Sequence, residues 1–334
     1  MQNVLITGAA GFIGSNFVHY WLEKYPNHNV TILDALTYAG NKHNLADLSG
    51  NSKLNLVVGS ICDDELVKKL LDRANIDTII HFAAESHVDR SITEPDAFID
   101  TNIVGTHVLL RNAKDYWLGG ENNKPHHFHH VSTDEVYGTL SPTDPAFSET
   151  TAYAPNSPYA ASKAASDHLV RAYHHTFGLN VTTSNCSNNY GPYHFPEKLI
   201  PLCLLNILAG KALPIYGDGQ QIRDWLYVDD HSRGIDLVIS KGVMGETYNI
   251  GGNNEWANID VVNLLCKIVD SRFAADANLT GRFPDSPCAK GSPANSLITY
   301  VTDRPGHDTR YAIDAQKIMN NLGYEPIEDF DSGL

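Results

Sequence analysis

At 334 residues, with 42% hydrophobic and 19% charged residues, the chain has an ordinary globular composition and enough length to bury a substantial core. Its formal net charge of −15 argues against a nucleic acid or an anionic membrane surface as partner, yet allows an anionic small molecule held by helix N-termini and local Arg or Lys. No apolar stretch approaches the roughly 20 residues of a membrane-spanning helix, no leader-like segment opens the chain, and five dispersed cysteines form no CxxC pair. These features predict a cytoplasmic protein with reduced thiols.

The first half alternates apolar runs with amphipathic stretches. Val4–Thr7, Val30–Leu33, Leu54–Val58, Thr78–Phe82 and Phe128–Val131 read as strands, with Val181–Ser184 a sixth; Ser15–Tyr25, Asp64–Ala74 and Asn102–Asp115 read as helices. That alternation predicts an α/β fold, a doubly wound parallel sheet of Rossmann type with helices on both faces. After Gly191 strand-like pieces become sparse, Lys198–Ala209 and Asp260–Ser271 look helical, and Gly281–Ser296 reads as a loop, an ordinary surface insertion. The expected division is a nucleotide-binding domain over residues 1–190 and a smaller, mainly substrate-binding domain over 191–334, with some later segments returning to the sheet.

Gly8-Ala-Ala-Gly11-Phe-Ile-Gly14 follows the first strand and opens a helix. Glycines there permit a tight turn, close backbone approach to a pyrophosphate, and close helix–sheet packing. A glycine triplet alone is weak evidence, but Asp34 ends the second strand 20 residues beyond Gly14, where a carboxylate accepts from ribose hydroxyls. Ala35, Leu36 and Thr37 follow it rather than an arginine, which favours NAD over NADP.

Tyr159 and Lys163 lie four residues apart after Ser157 and Pro158, a capping residue and a first-turn proline, so they share one helical face. A nearby ammonium favours phenolate and should lower the tyrosine pKa, as a general base for an alcohol requires. By itself such a pair is more often a surface contact. Here, however, Thr133, Asp134 and Glu135 end a separate apolar strand, at the carboxyl edge where open α/β sheets bind ligands.

Together these residues resemble the extended short-chain dehydrogenase/reductase family, and Thr133-Asp134-Glu135 narrows the likeness to its nucleotide-sugar 4,6-dehydratases. The likeness covers nearly the whole chain, including His81–Ser91, Asn188–Pro192, Arg223–Asp230 and Asp303–His307. It implies that Tyr159, assisted by Lys163, takes the sugar O4 proton while C4 gives a hydride to a tightly held NAD, with Thr133 bonding O4. It further implies that Glu135 removes the C5 proton, that protonated Asp134 donates to the departing C6 hydroxyl, and that the hydride returns to C6.

By the same likeness Gly8, Gly11, Phe12, Ile13, Gly14, Asp34, Thr37, Ser60, Ile61, Ala83, Ala84, Thr101 and Asn189 join Tyr159 and Lys163 around NAD, and Ser86 lies between cofactor and sugar. Asn188, Lys198, Leu199, Arg223, Asn258, Arg304 and His307 would hold the nucleotide sugar beside Ser86 and Thr133, with Pro214 and Tyr216 near the base, which the matches favour as thymine. Ser60 departs from the family, which usually has an aspartate there. The family also implies a homodimer, formed through helices of the first domain.

No metal is expected: His126, His127, His129 and His130 enter a strand whose alternate residues face opposite sides. Three rival readings stay open: a nucleotide-sugar 4-epimerase, which needs no acid/base pair for C5 and C6; a GDP-mannose or CDP-glucose 4,6-dehydratase; and a non-catalytic NAD-binding protein on the same fold.

Overall fold

The computed structural model describes residues 2–120, 123–303 and 306–334. Its strands are β1 (Asn3–Thr7), β2 (Asn29–Asp34), β3 (Leu54–Val58), β4 (Thr78–His81), β5 (His127–Thr133), β6 (Val181–Cys186), β7 (Asn188–Tyr190), β8 (Leu213–Tyr216), β9 (Ile222–Tyr227), β10 (Thr247–Ile250), β11 (Glu255–Ala257) and β12 (Ile298–Val301). The helices are α1 (Phe12–Lys24), α2 (Asp64–Arg73), α3 (Val88–Thr93), α4 (Asp96–Phe98), α5 (Thr106–Leu118), α6 (Pro158–Phe177), α7 (Leu199–Leu208), α8 (Val228–Lys241), α9 (Asn258–Ala275), α10 (Asn278–Arg282), α11 (Gln316–Leu322) and α12 (Phe330–Gly333).

Seven strands form one parallel sheet in the order β10-β6-β5-β4-β1-β2-β3. Its central strands are buried on both faces, which explains why they read as continuous apolar runs. On one face Phe17, Trp21, Ile235, Val238 and Ile318 pack α1, α8 and α11 onto the sheet. On the other, Val67, Leu71, Leu109, Trp117 and Val170 bring α2, α5 and α6 against it. The sheet is therefore covered on both sides, and its carboxyl edge stays open for a ligand.

A three-stranded sheet (β11-β9-β7) and a two-stranded one (β12-β8) stand beside it. Cys203 and Ile207 of α7, Leu213 and Ile215 of β8, and Val262, Leu265, Val269 and Phe273 of α9 form the core of this smaller unit.

The differences from the sequence reading have physical causes. The strands after Gly191 hide because they span only three to six residues, and β9 carries Arg223 and Asp224 amid its apolar residues. Helix α8 follows β9 directly and buries Asp230, His231 and Asp236, so its polar residues mask its period. The stretch read as a helix from Asn102 begins as a π turn, Ile99–Gly105. There the Asn102 amide donates to the Glu85 carbonyl (3.0 Å) and to Ser162 Oγ (2.8 Å), and its carbonyl oxygen accepts from the Glu85 N–H (2.9 Å). Gly281–Ser296 is not a plain surface loop. It includes short 3₁₀ turns, buries Ser286 and Ala294, and is tied to α9 by the Ala294 N–H donating to Asp270 (2.9 Å).

At the carboxyl end Phe330 is buried, stacked on Tyr190 (4.8 Å between centroids) and edge-on to Trp225. Phe330→Ala removes the ring that bridges α12 to β7 and β9, and is expected to cost about 3–5 kcal/mol; urea unfolding measures it, and an unchanged midpoint would contradict this packing.

Candidate active site

The chain turns sharply from β1 into α1. Gly8 has φ +71°, and a Cβ there would lie 2.6 Å from the Ala83 backbone; one at Gly14 would lie 2.5 Å from the Gly8 carbonyl. Only glycine fits these two positions, and their bareness opens a cradle over the N-terminus of α1. Asp34, buried at the end of β2, accepts from the Ala10 N–H (2.8 Å) and the Leu36 N–H (2.8 Å), so it also fixes the turn.

One cleft runs along the carboxyl edge of the large sheet. It is lined by Gly8, Gly11, Phe12, Ile13, Gly14, Asp34, Thr37, Ser60, Ile61, Ala83, Ala84, Ser86, Thr101 and Asn189. Every residue assigned to the cofactor by likeness thus borders one space, together with Thr133, Asp134, Glu135, Tyr159 and Lys163. The Ser60 hydroxyl accepts from the Cys62 N–H (3.1 Å), so the unusual serine at this position holds its own turn.

Two neighbouring elements deliver the reactive group. Beyond β5, Thr133 Oγ1 caps a 3₁₀ turn by accepting from the Glu135 N–H (3.3 Å), and Gly138 ends the turn at φ +97°. Ser157 Oγ caps α6 by accepting from the Ala160 N–H (3.0 Å), with Pro158 at its first position. Tyr159 and Lys163 then face β5, where the Lys163 ammonium donates to the Val131 carbonyl (2.9 Å).

Burial governs the protonation of this group. Asp134 is buried, and desolvation, reinforced by the carboxylates of Glu135 and Asp224, holds its carboxyl well above the usual range, while Arg223 opposes the shift. Its Oδ2 has no hydrogen-bond partner in the protein. Burial thus favours the protonated carboxyl of Asp134 over its carboxylate. Lys163 is pushed down by burial and partly restored by the charge of Asp167.

The expected lowering of the Tyr159 pKa is not seen. Burial first, then the Glu135 charge, raises it well above its ordinary value, opposed by a hydrogen bond with Thr133. The sequence spacing showed the ammonium but could not show how dry the phenol is.

The residues assigned to the sugar nucleotide fall into two groups. Asn188 and Lys198 line the cleft, and the Lys198 ammonium donates to the Ser86 carbonyl (3.2 Å). Leu199, Pro214, Tyr216, Arg223, Asn258 and His307 lie in the smaller unit, outside the walls of this cleft. Tyr216 and His307 meet edge to face (6.2 Å between centroids), and the Asn258 N–H donates to the Gln221 carbonyl (3.0 Å). Buried Arg223 donates to the Asp308 carbonyl (3.0 Å) and acts electrostatically on Asp134, which links the two groups. Arg304 lies outside the described residues.

Sequence reasoning missed several participants. His194 and Phe195 line the cleft; His194 stacks on Phe12 (4.4 Å between centroids) and Phe195 meets Tyr38 edge-on. The only signal was an aromatic pair just after Asn188–Pro192. Asp224, buried and accepting from the Gly252 and Asn254 N–H groups, was signalled by a carboxylate inside an apolar strand.

The four histidines do not converge. His127 and His129 each bond Thr182 Oγ1 (2.8 Å), His130 bonds Asp167 (3.1 Å), and His126 stacks on Trp117. Among the described residues no group of three or more His, Cys, Asp or Glu side chains could hold a metal ion, and no helix is long and apolar enough to cross a membrane.

A glycine turn, strand-end acids and a helix-borne Tyr–Lys pair on a parallel sheet are the build of the extended short-chain dehydrogenases/reductases. The chain matches the GDP-mannose 4,6 dehydratase family over residues 5–334 and belongs to it.

Within that class its relatives carry a narrower name. The dTDP-glucose 4,6-dehydratase of Xanthomonas campestris pv. campestris (strain B100) is 55% identical over 336 residues, covering 100% of this chain and 91% of the relative. That of Salmonella typhimurium (strain LT2) is 53% identical over 343 residues, with the same coverage. The structure of DesIV, the dTDP-glucose 4,6-dehydratase of Streptomyces venezuelae solved with NAD and TYD bound, superimposes with a TM-score of 0.86 at 44% identity, covering 100% of this chain and 94% of that one.

The upward shift of Asp134 has a thermodynamic signature. Its folded-state pKa lies above the unfolded value of about 3.9, so above that pH the unfolded chain holds fewer protons than the folded one, and this group's contribution to stability falls as pH rises. Asp134→Asn removes the effect. Its urea midpoint should therefore gain on the parent's as pH rises above about 4; a difference independent of pH would contradict the upward shift of Asp134.

Proposed function

We propose that this chain converts dTDP-glucose into dTDP-4-keto-6-deoxyglucose and water, using an NAD that it retains through the cycle. One observation carries the reading: Asp134, buried and with its carboxyl pushed well above the usual range, adjoins Glu135 in the same cleft as Tyr159 and Lys163. Oxidation at C4 needs only a base for the hydroxyl, whereas loss of water across C5 and C6 needs an acid and a second base. The paired carboxyls supply that difference, and for this reason we prefer a dehydratase to a 4-epimerase.

The glycine cradle and Asp34 fit a dinucleotide, with the bare backbone at Gly8 and Gly14 leaving room for a pyrophosphate. When bound, NAD would supply the hydride acceptor for C4 and the hydride donor for C6, and C5 takes back a proton as the hydride reaches C6. Tyr159 takes the O4 proton, Thr133 bonds O4, and the Lys163 ammonium favours the phenolate. The phenol's raised pKa sets the demand on Lys163, because only a strong local positive charge brings Tyr159 toward working pH. Once C4 is a ketone the C5 proton is acidic; Glu135 removes it while Asp134 donates to the leaving C6 hydroxyl. Placing one acid and one base side by side requires environments that push their pKa values apart, as burial does for Asp134.

In this reading residues 1–190 carry the cofactor, and 191–334 mainly the nucleotide sugar, with Arg223, Arg304 and Lys198 suited to the diphosphate. Thymine is the favoured base; CDP-glucose and GDP-mannose are the alternatives, to be separated by competition. We assign the protein to the cytoplasm, in keeping with five free cysteines among the described residues. A homodimer through α5 and α6 belongs to the same reading, supported by the exposed Ile99, Val104 and Phe177 near these helices. Light scattering should give twice the chain mass; a monomer would remove the dimer.

Glu135→Gln tests the division of labour. With dTDP-glucose it should still reduce bound NAD while losing at least about 100-fold in product formation, the order expected of a positioned general base. Exchange of the C5 proton with deuterated solvent should vanish along with product. Product at the parent rate would show that another group is the C5 base.

A further inference from the structure

The Lys163 ammonium is buried beside the cleft, and nothing in the reaction explains how it keeps its charge there. One helical turn beyond it on α6 lies Asp167, also buried and away from the cleft walls. Three donors from outside α6 hold its carboxylate: Ser132 Oγ (2.9 Å) and His130 Nε2 (3.1 Å) from β5, and the Tyr153 hydroxyl (2.9 Å) from the segment before α6. Ser132 itself sits between Val131, whose carbonyl receives the Lys163 ammonium, and Thr133. The carboxylate is thus fixed to the strand that carries the reactive triplet and to the helix that carries the Tyr–Lys pair.

We propose that Asp167 is a positioning residue for the reaction: held by Ser132, His130 and Tyr153, it is the buried counter-charge that keeps Lys163 an ammonium. It touches neither the cleft nor Tyr159 and acts through Lys163 alone. The other titratable groups facing Lys163 offer no negative charge near neutrality. The Cys186 thiol is pushed up to about 12 by burial, and the His81 and His130 imidazoles are held neutral by theirs. Around Asp167 stand His130, Tyr153, Tyr137 and His168 besides Lys163. Burial raises its carboxyl to about 6, against the pull of Lys163 and the hydrogen bonds from Ser132 and Tyr153. Asp167 is therefore ionised at neutral pH and loses its charge as pH falls through about 6. In a medium of low dielectric one charge of this kind decides whether a buried amine stays protonated.

The kinetic part of the test rests on the dehydratase reading, and a spectroscopic part does not. In NAD-loaded protein carrying ¹³C-labelled lysine, the Lys163 Cε signal, assigned by its loss in Lys163→Met, reports the titration of the amine directly. Asp167→Asn should lower its midpoint by at least about one unit, a tenfold change in proton affinity, whereas Asp167→Glu should leave it nearly in place. With dTDP-glucose, Asp167→Asn should lose at least about tenfold in kcat at neutral pH, recover part of it as pH falls and Lys163 is protonated again, and leave KM little changed. If Asp167→Asn does not fold, the parent's own Lys163 signal carries the test, since the amine should stay protonated at neutral pH. An Asp167→Asn enzyme with the parent's Lys163 midpoint and pH profile would overturn the proposal, as would a parent Lys163 that is already neutral at pH about 7. If the parent protein itself leaves dTDP-glucose unchanged, the proposed reaction falls and the Lys163 titration alone decides the role of Asp167.

Discussion

The ammonium of Lys163 has been taken out of water, and the protein around it is arranged to meet that cost. An isolated buried cation would simply lose its proton. Here β5 presents the Val131 carbonyl to it, α6 brings Asp167 one turn away, and β5 and Tyr153 hold that carboxylate in turn. Each of these contacts depends on the close docking of α6 against the sheet, which is why the core around Val170, Tyr173 and Phe128 bears on chemistry at the far end of the helix.

The same dryness acts on the groups nearby, with a different sign for each. It pushes the Asp134 carboxyl well above its usual range and so favours its use as an acid; it also raises Tyr159 and so works against its use as a base. The two effects are compatible only if the positive charge near Tyr159 is secure. A parallel sheet serves this purpose well. Its strand ends gather Thr133, Asp134 and Glu135 from β5 beside the glycine turn from β1, and the covering helices keep water from the opposite side.

Much of the site was legible because its signals are local. Gly8, Gly11 and Gly14 follow a strand at the right spacing, Asp34 ends the next strand, Ser157 and Pro158 announce a helix start, and Tyr159 and Lys163 share a face by periodicity alone. The six strands read from the first half all stand in the large sheet. What was not legible depends on contacts between distant segments. Asp167 reads as one more polar residue on a helix until β5 and Tyr153 close around it. His194 gains meaning from its stacking on Phe12. The short strands of the smaller unit are specified by their partners, as β12 is by β8, rather than by a pattern of their own. The direction of the Tyr159 shift is the plainest case, since spacing revealed the neighbouring charge but nothing about burial.

The central claim is that one cleft carries out oxidation, loss of water and reduction with a cofactor that never leaves. Incubating the purified protein with dTDP-glucose and no added NAD, followed by mass spectrometry of the nucleotide sugar, tests it most directly. The account predicts a product lighter by one water. An unchanged mass even after NAD is supplied, or conversion to an isomer of equal mass, would contradict it.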